Sequence, residues 1–379
     1  MPALAGKHYF NYGGQGPLPN TSLEAMVSCW QKLQQLGPFG RDVWPCLNLE
    51  LSALRKALSL LCGVAPHRLA LTENVSSGCV LPLWGLPFET GDRLLISSAE
   101  HPGIVAACKE LARRQGLVID CFDVQKVRSN SQLLKALENG LQERTRLVVL
   151  SHLLWNTGIT MPIAAVAQAL QRHQKKPWLL VDGAQSVGSL DLDDAANQAD
   201  IYAFTGHKWC CGPEGLGAVV LSERVLSEAS PTLIGWRSLS NETEASSSWH
   251  KDARKFEVAT SCIPLGAGLR QSLQLLQDCG NASQRQERIC ELSSRLWHGL
   301  QQIPGVEPLL QEGPPSSGLI SFQVANQDPN QLVDSLANSG FQLRSLDNPV
   351  CLRACTHITS TETEIDLLIE HLANICNGR

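Results

Sequence analysis

From Arg68 onward, continuous apolar runs alternate with stretches of helical pattern. RLALT leads to Ser76 to Leu86, RLLIS to Gly103 to Gln115, LVIDCFDV to Gln132 to Glu143, and RLVVLSH to Ile163 to His173; PWLLVD, DIYAF and GAVVLS follow. Strands that stay apolar along their whole length are buried on both faces, which requires helices above and below them. The pattern therefore predicts an α/β fold with a mostly parallel, seven-stranded sheet. In such a sheet ligands bind beyond the carboxyl ends of the strands, and chemistry is to be sought there.

Further along, Ser238 to Ser248 is rich in Ser, Glu and Asn and reads as a mobile loop. A long helical region from about Leu265 to Gln302, the strand GLISFQV, a helix near Asn330 to Ser339, short strands around Gln342 to Leu346 and Val350 to Cys355, and a last helix from Glu362 read as a separate αββα unit. The N-terminal YFNYGGQGPLP reads as a loop packed at the junction. The expected division is a large domain over 19–261 and a smaller α+β domain built from 1–18 and 262–379.

Composition then narrows the function by exclusion. A chain of 379 residues, 43% hydrophobic, can bury a sizeable core. A net charge of -5 and no basic run longer than a pair such as Lys175-Lys176 argue against nucleic acid as a partner. MPALAGKHYF lacks an apolar signal core, and the longest apolar run, near Leu147 to Trp155, is broken by Ser151 and His152 and too short to span a bilayer, so a cytoplasmic protein without membrane partners is expected. The 14 cysteines show no CxxC pair and no zinc-finger spacing. They read as small buried apolar side chains in a reducing compartment, and no metal is expected.

The strand ends carry the unusual residues: Glu100 and His101 after RLLIS, His152 and Asn156 after RLVVLS, Asp182 and Gln185 in VDGAQSVG, and Thr205, His207 and Lys208 after DIYAF. Each alone has an ordinary reading. Asp182 can be a helix cap, Lys208 a salt-bridge partner, His101 before Pro102 a cap, and His152 a satisfied core histidine. Together they meet the needs of pyridoxal 5'-phosphate. A lysine amine holds the aldehyde as a Schiff base and later serves as a base, and an Asp beside the pyridine nitrogen keeps it protonated. The helix start at Val75-Ser76-Ser77 can take the phosphate dianion. Gln185 can donate to the phenolic oxygen, Thr205 and His207 can reach the phosphate, and His101 can lie flat on the ring.

DGAQSVG, DIYAFTGHKWCCGPEGLG and AEHPG resemble the signatures of class V pyridoxal-phosphate enzymes, the group of the cysteine desulfurases, and the resemblance runs from YFNYGG to TEIDLLIEHL. It implies a fold-type I transferase architecture and a homodimer. It further implies Lys208 as the Schiff-base lysine, Asp182 at the pyridine nitrogen, Gln185 at the phenolate, His101 stacked on the ring and Asn156 near it. Ser76, Thr205 and His207 would contact the phosphate, and Thr260, in KFEVATS, would do so from a second subunit. The same resemblance places a substrate carboxylate on Arg353 with Arg344 close by, a geometry that suits guanidinium forks. Trp236 is a candidate to line the substrate pocket or simply to pack.

Desulfurases carry a nucleophilic cysteine on a flexible loop between these two arginines, whereas only SLDNPVCL separates them here. Cys351 would sit in a strand on the face of Arg353 and Cys355, fixed rather than mobile. Cys210 and Cys211 read as packing. The chemistry left to a sulfur amino acid is β-elimination, with Lys208 taking the Cα proton and the products being pyruvate, ammonia and a persulfide or sulfide. Within the family the chain is most similar to L-cysteine/cystine C-S lyases, which implies a sulfur or iron-sulfur acceptor protein as a partner. A desulfurase making alanine, a racemase or epimerase, and a non-catalytic scaffold are the competing readings.

Overall fold

A computed structural model describes residues 1, 4–125, 127 and 129–378. In chain order the elements are β1 (His8–Tyr9), α1 (Asn20–Leu36), α2 (Val43–Cys62), β2 (Leu69–Thr72), α3 (Val75–Leu83), β3 (Arg93–Ser97), α4 (Pro102–Gln115), β4 (Val118–Phe122), α5 (Asn130–Gly140), β5 (Thr145–Ser151), α6 (Ile163–Arg172), β6 (Trp178–Asp182), α7 (Ala195–Gln198), β7 (Ile201–Thr205) and β8 (Gly217–Leu221). There follow α8 (Glu223–Glu228), α9 (Ile263–Asp278), α10 (Ala282–Gln301), β9 (Val306–Pro308), β10 (Leu319–Val324), α11 (Pro329–Asn338), β11 (Phe341–Gln342), β12 (Arg344–Asp347), β13 (Val350–Cys355) and α12 (Glu362–Cys376).

Seven strands form one sheet in the order β2-β8-β7-β6-β5-β3-β4. Only β8 runs against the others, being antiparallel to both of its neighbours. Successive side chains of a strand point to opposite faces, and this splits each apolar run between two cores. Leu179, Val181, Tyr202 and Phe204 pack on one face with Leu58, Val166 and Leu273 from α2, α6 and α9. Trp178, Leu180, Ile201 and Ala203 pack on the other with Cys79, Ile104 and Val225 from α3, α4 and α8. Asp182 continues the second series, so its carboxylate emerges on the side of α3 and α4.

The tail forms a four-stranded antiparallel sheet, β12-β13-β10-β9, around its own core of Leu296, Phe322, Leu352 and Leu368. The expected single helical region from Leu265 to Gln302 is two helices. Gly280, at φ 116, turns the chain in a way other residues resist, and Asn281 and Gln284 form a capping box that starts α10 afresh. The N-terminal loop contributes β1, paired in parallel with β11, and so ties the start of the chain to the tail. The Ser238 to Ser248 segment is closed by a bridge between Leu239 and Trp249 and by hydrogen bonds among Ser240, Ser247 and Ser248.

Candidate active site

Four parallel strands end side by side. Ser151 is level with Asp182, and Asp182 with Ala203, so the segments after β5, β6 and β7 leave the sheet together, with α4 entering from β3. Lys208 follows β7 in a turn that holds itself by backbone bonds: Gly206 N–H donates to Leu216 and Gly212 N–H to Gly206. The N-terminal loop presses on it from outside, with Gly16 N–H donating to the carbonyl of His207 at 2.7 Å. A Cβ on Gly16 would collide with the carbonyl of Lys208, so only glycine fits there.

Burial pushes the Lys208 amine down to about 8 against the opposing pull of the Asp182 carboxylate; Arg353 and Arg344 depress it further. A neutral amine attacks aldehydes and an ammonium does not. Loading of cofactor-free protein with pyridoxal phosphate is therefore expected to accelerate about tenfold per pH unit and to level off near pH 8, rather than near the 10.5 of an ordinary lysine, when visible absorbance is followed by stopped flow.

Asp182 is buried and its Oδ1 accepts the N–H of Ala184 at 2.8 Å. Burial raises its pKa, while that N–H, Lys208 and His101 hold it down. His101 caps α4, its Nδ1 accepting from Gly103 N–H at 3.2 Å, and its ring meets Trp155 edge-on at 6.0 Å. Its cap reading and its place beside the site are thus compatible. Behind this group, His152 is a satisfied core residue: Nδ1 lies 2.8 Å from the hydroxyl of Tyr202, and burial pushes its pKa down to about 4.

At the α3 end, Asn74 accepts the N–H of Ser77, leaving Val75 and Ser76 at the open start of the helix, where N–H groups have no intrahelical partner. Thr205 and His207 are bonded to each other, Oγ1 to Nδ1 at 2.6 Å. A cleft of about 790 Å³ is lined by Ser76, Ser77, Thr260 and also Arg237, which the sequence reading passed over. Thr260 thus shares a cleft with Ser76 within one chain. Trp236 packs edge-on against Trp44 of α2 at 6.3 Å and lies under the guanidinium of Arg237; the cleft lining includes Arg237 and not Trp236.

From the tail, Arg353 is 2% exposed; Nη1 donates to the carbonyl of Trp155 at 2.9 Å and Nη2 reaches Asn11 Oδ1 at 3.5 Å. Arg344 stands directly opposite it across β12 and β13. Like charges at such a pair repel, and an anion between them relieves the repulsion. Three buried polar atoms here have no partner: Asn156 Oδ1, Arg353 Nε and Trp155 Nε1. Buried groups of this kind are costly unless satisfied, and they suit a polar cofactor and an amino-acid substrate. Gly13 completes the cradle, since a Cβ there would come within 3.0 Å of Gln185 Oε1 and 3.1 Å of the Arg353 guanidinium. Trp155 was passed over in the sequence although it adjoins Asn156, whereas Asn11 and Gly13 were read only as part of the YFNYGGQGPLP junction loop.

A lysine with a depressed pKa beside a buried carboxylate, a helix start and an arginine pair at the strand ends of a fold-type I sheet define a pyridoxal-phosphate-dependent enzyme. The chain belongs to the aminotransferase class-V family, whose profile matches residues 54–368. Among solved structures it is similar to the cystine C-S lyase C-DES in complex with its reaction product cysteine persulfide, 40% identical with a TM-score of 0.93 over 98% of this chain and 99% of that one. A lysine-to-alanine mutant of C-DES, with glycine covalently linked to the PLP cofactor, matches with the same identity and TM-score over 98% of each chain. Curated relatives include a cysteine desulfurase of Haloferax volcanii, 26% identical over 80% of this chain and 73% of that one, and an isopenicillin N epimerase of Amycolatopsis lactamdurans, 28% identical over 96% and 94%.

Proposed function

We propose that the protein is a carbon-sulfur lyase that converts cystine and water to pyruvate, ammonia and cysteine persulfide, and cysteine and water to pyruvate, ammonia and sulfide. The observation that carries this reading is the β12–β13 hairpin. Its turn is held down on the site, the carbonyl of Asn348 accepting from Asn156 Nδ2 at 3.1 Å, and Cys351 lies in the strand with no exposed surface. Burial pushes that thiol up to about 11. A desulfurase needs a thiolate that travels; a strand-bound, protonated thiol supplies none. The 40% identity to C-DES supports the same conclusion.

The bound cofactor supplies a protonated ring that accepts the electron pair of the Cα–H bond. The chain's residues do the rest. Lys208 Nζ takes the Cα proton, Asp182 keeps a negative charge at the ring nitrogen, and His101 covers the ring. Val75, Ser76, Thr205 and His207 would hold the phosphate, joined by Thr260 of the partner subunit, with Gln185 at the phenolic oxygen and Asn156 near the ring. Arg353, with Arg344, fixes the substrate carboxylate so that the Cα–H bond faces the lysine. Trp236, packed against Trp44, stays a substrate-side residue only as an expectation from the sequence.

The experiment is an assay of the loaded protein with cystine for pyruvate, alanine and D-amino acid. Pyruvate is expected, and Cys351→Ala is expected to retain activity within about threefold, as a buried swap away from the reacting atoms should. Alanine as product, together with loss of activity in that variant, would establish a desulfurase; a D-amino acid would establish an epimerase.

The same reading includes a homodimer, supported by Leu23, Val27 and Trp30 of α1 and Trp44, Leu49 and Leu60 of α2, all left exposed. It places the protein in the cytoplasm, supported by 14 free thiols. It also assigns the persulfide to an acceptor protein of iron-sulfur cluster assembly. The division into domains at 19–261 against 1–18 and 262–379 belongs to the proposal as well, with α9 bridging the two by packing Leu269 and Leu273 into the core of the large sheet.

A further inference from the structure

Trp209 follows Lys208 directly and is completely buried. Its indole Nε1–H donates to Gln185 Oε1 at 2.8 Å, and Gln185 Nε2 donates to the carbonyl of Gly13 at 2.9 Å. An indole N–H can only donate and a carbonyl can only accept. The two contacts therefore fix the amide the same way round, oxygen toward Trp209 and nitrogen toward Gly13, and leave one amide hydrogen for the site. Trp209 is itself clamped: His357 Nε2 donates to its carbonyl at 3.0 Å, and Tyr12 stacks on the His357 ring at 4.1 Å. On the far side a Cβ at Gly318 would come within 3.1 Å of the indole.

We propose that Trp209 is a positioning residue whose indole N–H holds Gln185 as a hydrogen-bond donor toward the cofactor's phenolic oxygen. The inference rests on the cofactor placement given above. Without the indole N–H only the Gly13 carbonyl holds the amide, and its remaining hydrogen is free to swing away from the phenolic oxygen, which loses that attraction. A donor at that oxygen favours the deprotonated form of the lysine-bound cofactor, so its loss raises the pH at which the visible band titrates. Lys208, Asp182, His101, His207, Arg353, Arg344 and Cys355 are charged and titratable groups that also act on this titration.

The test is the pH midpoint of the visible band in the loaded, full-length protein. Trp209→Phe is expected to raise it by on the order of one pH unit. The double variant with Gln185→Leu is expected to move it no further than Gln185→Leu alone. Should the phenylalanine variant fail to fold, benzothienylalanine at position 209 keeps the bicyclic ring, removes only the N–H, and should give the same shift. An unchanged midpoint in either variant, or shifts that add in the double variant, overturns the inference while leaving the cofactor reading intact. A wild-type protein that gives no visible band with pyridoxal phosphate overturns both.

Discussion

Lys208→Ala is expected to abolish pyruvate formation from cystine, by about 10³-fold or more, because one side chain supplies both the covalent attachment and the base. Borohydride treatment of the loaded variant should leave no mass adduct, while the wild type gains one at the peptide containing position 208. The fold should survive. Burial depresses this amine from 10.5 to about 8, so the native state disfavours a charge that the unfolded chain carries freely. Between pH 8 and 10.5 the unfolded chain binds the extra proton, and stability rises with pH there; below about 8 the whole cost is present. Alanine removes it. The cofactor-free variant is therefore expected to melt no lower than wild type at pH 7, and its melting temperature should lose its rise between pH 8 and 10.5. A variant that unfolds at pH 7 would show that Lys208 is instead part of the packing.

The central sheet was readable because its inner strands are buried on both faces and their apolar runs are unbroken; β6, β7 and β8 are buried at every position, whereas the edge strand β4 is partly open and carries Asp120. The strand ends were readable for the complementary reason, since Asp182 ends the buried run of β6 with a charge, and His101 and Lys208 follow just past β3 and β7 with groups foreign to the apolar pattern. The helices α1 and α2 were not recognised. Their apolar residues are divided between a buried stripe against α9, where Gly266 and Gly268 allow Leu54 and Met26 to approach, and an outward stripe that includes Trp30 and Trp44. β1 is too short to show a period. The contacts of Gln185 with Trp209 and Gly13, and of Arg353 with Trp155 and Asn11, join residues distant along the chain. No local pattern in the sequence records such pairs, because the fold alone brings them together.

Asp182→Asn is expected to lower kcat/KM by about 10² to 10³-fold while the visible band of the loaded protein persists. Asparagine keeps the volume and can still accept from Ala184 N–H through its oxygen, so the β6 end should hold its shape. What changes is the other end of the group: an amide donor replaces a carboxylate oxygen, and the ring nitrogen loses the charge that keeps it protonated. The neighbouring carboxyl group shows why the charge resides on Asp182. Glu100 is buried at the same strand ends and accepts from the hydroxyls of Ser97 and Ser151 and from the N–H of Ser151. Burial, with Asp182 adding to it, pushes Glu100 up to about 7. Near neutral pH Glu100 can carry a proton; burial raises Asp182 as well, but there it is opposed by Ala184 N–H, Lys208 and His101, which favour the charged carboxylate. Glu100→Gln, which mimics the protonated form, is therefore expected to cost less than about tenfold, within the range of a single retained hydrogen-bond network. If steady-state kinetics gave the larger loss to Glu100→Gln and the smaller to Asp182→Asn, the ring-nitrogen partner would have to be reassigned.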